Sequence, residues 1–212
     1  MLTVLGDYES GNLHSAEKAF QRMSAETGGG DVLVSADPAD VARADRIVLP
    51  GDGAFPACRR ALGGVDGLVD ALQEAVITRA VPFMGICVGM QMLATRGLEY
   101  EEVAGLDWIG GEVVRITPRD AGLKVPHMGW NDLVIDHPHP VLEGVASGDH
   151  AYFVHSYQFR VTDPAHLLAH VDYDGPVTAI VARDNNVGTQ FQPEKSQATG
   201  LRMIANFLRW CP

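Results

Sequence analysis

An α/β domain with a central, mostly parallel sheet is the fold class this sequence predicts, and three features predict it. Short apolar runs alternate with helical periodicity over residues 1–100, glycine-rich turns close the runs, and beyond residue 110 the runs crowd together with turn residues between them. The first pattern calls for parallel strands with helices on both faces, and the last for an antiparallel β extension in the C-terminal half. No repeat, low-complexity stretch or linker interrupts the 212 residues, so residues 1–212 read as a single domain. A chain of this length removes roughly 70% of its unfolded surface from water, which suffices for a core without disulfides or metal.

Leu2 to Leu5 is an apolar run ending in Gly6-Asp7-Tyr8-Glu9-Ser10-Gly11, a buried strand and its turn. Asn12 is placed to cap a helix whose Leu13, Ala16, Ala19, Phe20 and Met23 share one face, and Gly28-Gly29-Gly30 closes it. Val32 to Val34 and Ile47 to Leu49 are further strands, separated by one helical turn over Pro38 to Arg43. The second stops at Pro50-Gly51-Asp52-Gly53. Leu68, Val69, Leu72, Ala75 and Val76 predict a helix over 68–79, and Val81 to Ile86 the next buried strand. In the second half, strands are expected at Gly111 to Ile116, Asp132 to Ile135, Ala151 to Val161, Leu167 to Tyr173, Val177 to Ala182 and Val187 to Phe191, with a turn at Asp184-Asn185-Asn186 and a closing helix over Ala198 to Arg209.

Composition narrows the function. With 16 Lys and Arg against 27 Asp and Glu, the formal charge is −11, which disfavours nucleic acid and anionic membranes, since both are gripped by clustered cations. The N-terminus has no basic region and too short an apolar run for a signal peptide, and Val81 to Met90 is about half of the roughly 20 residues a bilayer-spanning helix needs. Cys58, Cys87 and Cys211 cannot all pair and lack zinc-site spacing. A reducing cytoplasm, no metal and no cofactor are the expectation.

The sharpest chemical signal is Phe83-Met84-Gly85-Ile86-Cys87-Val88-Gly89-Met90-Gln91. An apolar strand entering Gly-x-Cys-x-Gly and then a helical stretch has the pattern of a nucleophile elbow, with Cys in place of Ser. Its glycines allow close backbone approach while the turn lifts Cys87 clear of the sheet. A helix N-terminus there is expected to stabilise the thiolate, with the Val88 N–H placed for an oxyanion. The loop Pro50-Gly51-Asp52-Gly53 lies at the C-terminal end of a parallel strand, where open α/β sheets hold ligands, and is placed to supply another oxyanion donor. Cys58 and Cys211 have no such context and read as small buried hydrophobes.

A third constellation, Phe191-Gln192-Pro193-Glu194-Lys195-Ser196, completes a pattern with these. Together with residues 7–13, Leu49 to Phe55, Gly85 to Gln91, Pro126-His127-Met128-Gly129-Trp130-Asn131 and Tyr152-Phe153-Val154-His155-Ser156-Tyr157, it resembles the class I, triad-type glutamine amidotransferases. The His-Met-Gly-Trp-Asn and Phe-Val-His-Ser-Tyr segments are most similar to the branch that serves a cyclase in making imidazole glycerol phosphate for histidine. The resemblance implies that Cys87 attacks the glutamine side-chain amide, forming a thioester and ammonia, and that Gly51, Gly53 and Val88 form the oxyanion hole. Gly53, Gln91, Glu99, Ser156 and Tyr157 would hold glutamine. Glu194 would orient the catalytic base. Asn12, Trp130 and Lys195 would lie against a separate cyclase subunit, a (β/α)8 barrel forming a heterodimer with this chain and receiving the ammonia through a tunnel.

One departure bears on all of this. The family motif reads Phe-His-Pro-Glu-Lys-Ser, and this chain carries Gln192 where the general base stands. A Gln amide can hydrogen-bond the thiol but has almost no basicity. A free cysteine is roughly 3% thiolate at pH 7, so attack alone would slow about 30-fold; expelling ammonia without an acid is harder, and losing a triad member can cost roughly 10⁴-fold. Very weak glutaminase activity is therefore expected, the alternative being a silent pseudo-amidotransferase that docks on and gates the cyclase. His127 and His155 are the candidates to replace the missing base. His137, His139, His150, His166 and His170 sit in polar, turn-rich surroundings and are expected to be exposed, and Trp130 is expected in a polar loop.

Overall fold

In the computed structural model, residues 1–9, 12–120 and 122–212 are described, so Ser10 and Gly11 of the first turn lie outside the described residues. The first half alternates as its periodicity requires: β1 (Leu2–Gly6), α1 (Leu13–Thr27), β2 (Asp31–Ser35), α2 (Pro38–Ala42), β3 (Arg46–Gly51), α3 (Phe55–Gly64), α4 (Leu68–Gln73), β4 (Phe83–Cys87) and α5 (Val88–Gln91). The second half is β-rich, with β5 (Arg96–Gly97), β6 (Val103–Ala104), β7 (Gly111–Arg115), β8 (His127–Asp132), β9 (Val134–Ile135), β10 (His150–His155), β11 (Tyr157–Val161), β12 (Leu167–Asp172), β13 (Pro176–Arg183) and β14 (Asn186–Thr189), before α6 (Gln197–Arg209) closes the chain.

The main sheet has the order β2-β1-β3-β4-β14-β13-β12-β9. Pairing is parallel from β2 through β14 and antiparallel from there to β9. Strands buried on both faces need near-continuous apolar runs, and the Ile47-Val48-Leu49 and Phe83-Met84 stretches supply them with no exposure at any position. Flanking helices close over the sheet; α1 and α6 meet each other through Phe20 and Phe207, edge to face at 6.4 Å. The Asn12 side chain accepts from the Ser15 N–H at the start of α1, as the sequence predicts.

Several expectations are corrected. Ala151 to Val161 is not one strand: no Gly or Pro interrupts it, but the chain breaks at Ser156, and its halves join different sheets, β10 with β8 and β11 with β7. Trp130 is in strand β8, not in a loop, because the His-Met-Gly-Trp-Asn segment pairs residue for residue with β10. Helix α3 is absent from the sequence reading, although Pro56 in its first turn and buried Phe55, Cys58 and Leu62 at helical spacing mark it. The helix expected over 68–79 changes character at Glu74, where a π turn, Glu74–Thr78, takes over. Cys211 is exposed; Cys58 and Cys87 are buried, and none of the three forms a disulfide.

The Asp184-Asn185-Asn186 turn has a structural task. The buried Asn185 amide donates to the Val76 carbonyl at 2.8 Å and the Val81 carbonyl at 2.7 Å, tying the π turn to the segment that leads into β4. Replacing it by Ala leaves two buried carbonyls without donors. At about 1–3 kcal/mol for such a loss, and about 2–4 °C per kcal/mol for a domain of this size, Asn185→Ala is expected to lower the melting temperature by roughly 2–12 °C, read by differential scanning calorimetry.

Candidate active site

The strand-to-helix elbow forms as its glycines dictate. A Cβ on Gly89 would lie 1.8 Å from the Leu49 carbonyl oxygen of β3, and one on Gly85 would lie 2.5 Å from the Gly89 oxygen. Only glycine permits that approach. Between them Cys87 takes φ 56° and ψ −113°, an unfavourable conformation for a residue with a side chain, of the kind that costs about 1–3 kcal/mol and persists where packing over-determines it. Register places Gly51 beside Cys87 across the parallel β3–β4 pair.

Cys87 opens into a pocket of about 250 Å³ lined by Asp52, Gly53, Val88, Gln91, Glu99, Pro126, Val154, His155, Ser156 and Tyr157. Of the residues predicted from sequence, the pocket thus gathers Cys87, Gly53, Val88, Gln91, Glu99, Ser156 and Tyr157. Gly51 lies just outside it, packed under Gly89 and the Tyr8 hydroxyl. Two hydrogen bonds hold the loop on either side of Gly51: Tyr8 donates to the Pro50 carbonyl at 2.5 Å, and the Cys58 thiol to the Asp52 carbonyl at 3.2 Å. Glu99 closes the far side, its Oε2 accepting the Phe55 N–H at 2.7 Å at the start of α3.

The thiol is not the stabilised thiolate that the sequence suggests. Burial first, and the Asp52 charge second, push its pKa up to about 12, with smaller contributions from Glu194 and Cys58. The Val88 N–H opposes them. A helix of four residues, Val88–Gln91, has too few aligned peptides to reverse a desolvation of that size.

The amide that reaches the sulfur belongs to Gln190, not to Gln192. Gln190 Nε2 lies 3.7 Å from Cys87 Sγ, and its Oε1 accepts from Gln91 Nε2 at 3.0 Å, while Gln91 also donates to the Tyr157 carbonyl at 3.2 Å. Among the described residues Gln192 makes no hydrogen bond to the thiol. Its Oε1 and the Oε2 of Glu194 are buried without partners. Burial raises the pKa of Glu194. The backbone around them is well satisfied: Gln192 N donates to the Tyr152 carbonyl at 3.4 Å, and Ser196 Oγ donates to the Gln192 carbonyl at 2.8 Å.

His127 and His155 are committed to each other. His155 Nδ1 faces the Tyr157 carbonyl at 2.8 Å and must donate, which leaves Nε2 as an acceptor for His127 Nδ1 at 3.0 Å. His127 Nε2 then accepts from Asn131 Nδ2 at 3.2 Å. Both rings are neutral, and burial lowers both pKa values to about 4. Although His155 lines the pocket, its nitrogens are already engaged, so the geometry argues against either ring replacing a base beside Cys87. Of the remaining histidines, His137 and His150 are exposed as expected, but His139, His166 and His170 are half-buried. His139 packs edge-on against Trp210 and His170 pairs with Asp136 at 2.8 Å.

Asn12, Trp130 and Lys195 are all exposed. The turn Pro193–Lys195 packs on both α1 and β10, and Trp130 lies across from Tyr152 of β10, ring to ring at 5.7 Å. Sequence reasoning missed Gln190, Tyr8 and Asp52. The glutamine immediately before Phe191 was the available signal for the first, and a carboxylate inside a glycine-rich loop for the last. Among the described residues no three His, Cys, Asp or Glu side chains form a metal-sized cluster, and no helix is long and apolar enough to cross a membrane.

Comparison with known proteins converges. The family model for glutamine amidotransferase class-I matches residues 12–210. The chain is 73% identical over 212 residues to the imidazole glycerol phosphate synthase subunit HisH of Cereibacter sphaeroides, covering all of both chains. It is 68% identical to the subunit of that name from Ruegeria pomeroyi and 56% identical to that of Rhodospirillum rubrum, again over the whole of each. Among solved structures, a glutamine amidotransferase aligns with a TM-score of 0.72 over 99% of both chains at 19% identity. The glutaminase domain of Trypanosoma brucei CTPS aligns at 0.63 over 98% of this chain and 93% of that one, at 14% identity; at these identities both speak for the fold alone.

The histidine pair predicts a pH dependence. Folded, the rings stay neutral down to about pH 4; unfolded, they take up protons near their ordinary value of 6.5. The pair's contribution is therefore intact above pH 6.5 and lost as pH falls toward 4, with a slope approaching about 1.4 kcal/mol per pH unit for each ring. Urea denaturation at stepped pH is expected to show this slope reduced in His127→Gln; an unchanged slope would contradict the assignment.

Proposed function

The chain belongs to the class I glutamine amidotransferases, and from that premise we propose that it is the glutaminase subunit of an imidazole glycerol phosphate synthase, with Gln192 limiting its activity. The observation that carries the reading is the elbow thiol of Cys87, opening into a pocket walled by Gly53, Gln91, Glu99, Ser156 and Tyr157. Whole-length identity to subunits bearing that name supports the choice of branch.

In this reading glutamine enters the pocket and Cys87 Sγ attacks its side-chain carbonyl carbon. The oxyanion collects on N–H groups of Val88 and of the Gly51 to Gly53 loop. Collapse breaks the C–N bond, ammonia leaves with a proton, and water cleaves the thioester to glutamate and free thiol. Two proton transfers are needed, one from the thiol and one to the departing nitrogen. With the thiol pKa near 12, the thiolate fraction at pH 7 is on the order of 10⁻⁵, about 10³ below that of a free cysteine. Position 192 is where the family supplies the base. Gln192 can do neither transfer, and Glu194, whose Oε2 is buried without a partner, has no imidazole to orient.

Those two unpartnered oxygens favour a second reading at the same site: a subunit that docks on its cyclase and closes the entrance while free ammonia feeds the reaction. Docking does not depend on residue 192. Asn12, Trp130 and Lys195 form the proposed contact with the (β/α)8 cyclase in a heterodimer, and Trp130, 48% exposed on a strand edge, is the anchor.

Glutamate release by the chain mixed with its cyclase and the cyclase's nucleotide ligand separates the readings, with ammonium-fed turnover confirming that the cyclase works. Gln192→His is expected to raise glutamate release by about 10³-fold or more. Equal rates would mean that another group moves the protons. Independently, Trp130→Ala is expected to weaken cyclase binding at least about tenfold by calorimetry, with Gln192→His leaving the affinity unchanged.

A further inference from the structure

We propose that a groove between the segment after β7 and the β12–β13 hairpin binds a small acidic α-amino acid, whose two carboxylates pair with Arg119 and Arg160 and whose ammonium meets Asp174. The proposal is independent of the glutaminase reading, because the groove shares no lining residue with the Cys87 pocket. Its volume of about 270 Å³ suits a ligand smaller than those of ordinary cavities, which begin near about 300 Å³.

Arg119, Arg160 and Asp174 are the charged side chains that line it. On this acidic chain, Arg22, Arg43, Arg60, Arg96 and Arg183 each form an ion pair. Among the described residues Arg119 and Arg160 form none, and neither guanidinium has a hydrogen bond. The reason is visible at Arg160. Its cross-strand neighbour in the β7–β11 register is Glu112, and that carboxylate is occupied by Arg96 of β5, whose Nε and Nη2 both donate to Glu112 Oε1. Asp174 is held below the usual carboxylate range by the Asp120 and Arg119 N–H groups, with the Arg119 charge adding to this from beyond ion-pair distance. Both N–H groups donate to Oδ2, which leaves Oδ1 for a ligand.

The floor and the frame are built. Gln158 lines the groove at only 8% exposure; its Oε1 accepts the Thr178 N–H at 3.4 Å, while its Nε2 has no partner among the described residues. A buried carboxamide with unused donors calls for an acceptor, and a carboxylate oxygen is one. The hairpin wall is braced by the Tyr173 hydroxyl on the Lys124 carbonyl at 2.7 Å and by the Gly175 N–H on Asp172 Oδ1 at 3.0 Å. Charge then selects the ligand. Two guanidinium groups and one carboxylate are the complement of two carboxylates and one ammonium, and arginine forks match carboxylates in shape. A phosphate dianion would answer the arginines and be repelled by Asp174, and a neutral amino acid would leave one guanidinium unanswered.

The full chain is titrated by calorimetry with L-glutamate, with glutarate, which lacks the ammonium, and with inorganic phosphate. L-glutamate is expected to bind with a Kd of about 1 mM or lower, and the other two at least about tenfold more weakly. Arg119→Gln and Arg160→Gln are each expected to cost at least about tenfold in L-glutamate affinity, and Asp174→Asn to remove the preference over glutarate. Arg160 is exposed on its strand, so its replacement leaves the fold in place even if a change at Asp174 loosens the hairpin. Amide NMR shifts locate the ligand and are expected at residues 117–119 and 174–177. Shifts confined to residues 52–53, 87–88 and 154–157 would overturn the proposal while leaving the glutaminase reading untouched. Unaltered affinity in both arginine variants, or phosphate bound more tightly than L-glutamate, would overturn it as well.

Discussion

The site depends on one steric constraint, the contact of the turn after β4 with the backbone of β3. Where a methyl group on Gly89 would fall 1.8 Å from the Leu49 oxygen, the two segments are as near as peptide groups can come. That approach forces Cys87 into a positive φ, presents its sulfur at the sheet's C-terminal edge, and sets Gly51 and the following loop beside it. The remaining walls come from further along the chain, where the break at Ser156 lets β10 and β11 diverge into separate sheets and turns His155, Ser156 and Tyr157 toward the thiol. A single continuous strand there would alternate these side chains between two faces and open the pocket.

Burial then decides the resting chemistry. The thiol, the histidine pair and Glu194 all shift toward their neutral forms, and hydrogen bonds around the pocket run in one direction, Asn131 to His127 to His155 to Tyr157, and Gln91 to Gln190 to Cys87. Directional chains of this kind fix side-chain position well and move protons poorly, because every donor already has its acceptor. The pocket is thus shaped in advance, with its thiol held in the neutral form.

Much of this was legible in the residues. The parallel half of the sheet follows from doubly buried apolar runs, and the elbow from Gly85 and Gly89, since close backbone approach demands glycine whatever surrounds it. The break at Ser156 was not legible, because Ala151 to Val161 contains no Gly or Pro to mark a break and the switch of sheets is set by pairing partners distant in sequence. Helix α3 was obscured by Gly63-Gly64 and by arginines that interrupt its apolar face. The reversal at Cys87 was the least accessible: a local reading credits the helix N-terminus with stabilising a thiolate, whereas full burial and a carboxylate on the adjacent strand end outweigh a single turn of helix.

Gln192 sits on a turn whose order does not come from its side chain. The turn that carries it is fully built: Pro193 starts it, Ser196 ties its hydroxyl back to the Gln192 carbonyl and accepts the Tyr152 N–H at 3.0 Å, and Gly200 packs against the Pro193 carbonyl. Only the functional tips, Gln192 Oε1 and Glu194 Oε2, lack partners, at about 1–3 kcal/mol for each buried group left unsatisfied. A turn optimised for Gln192 would have supplied donors to both. Backbone order that does not depend on the side chain at 192 argues that the fold around the pocket persists whichever residue stands there.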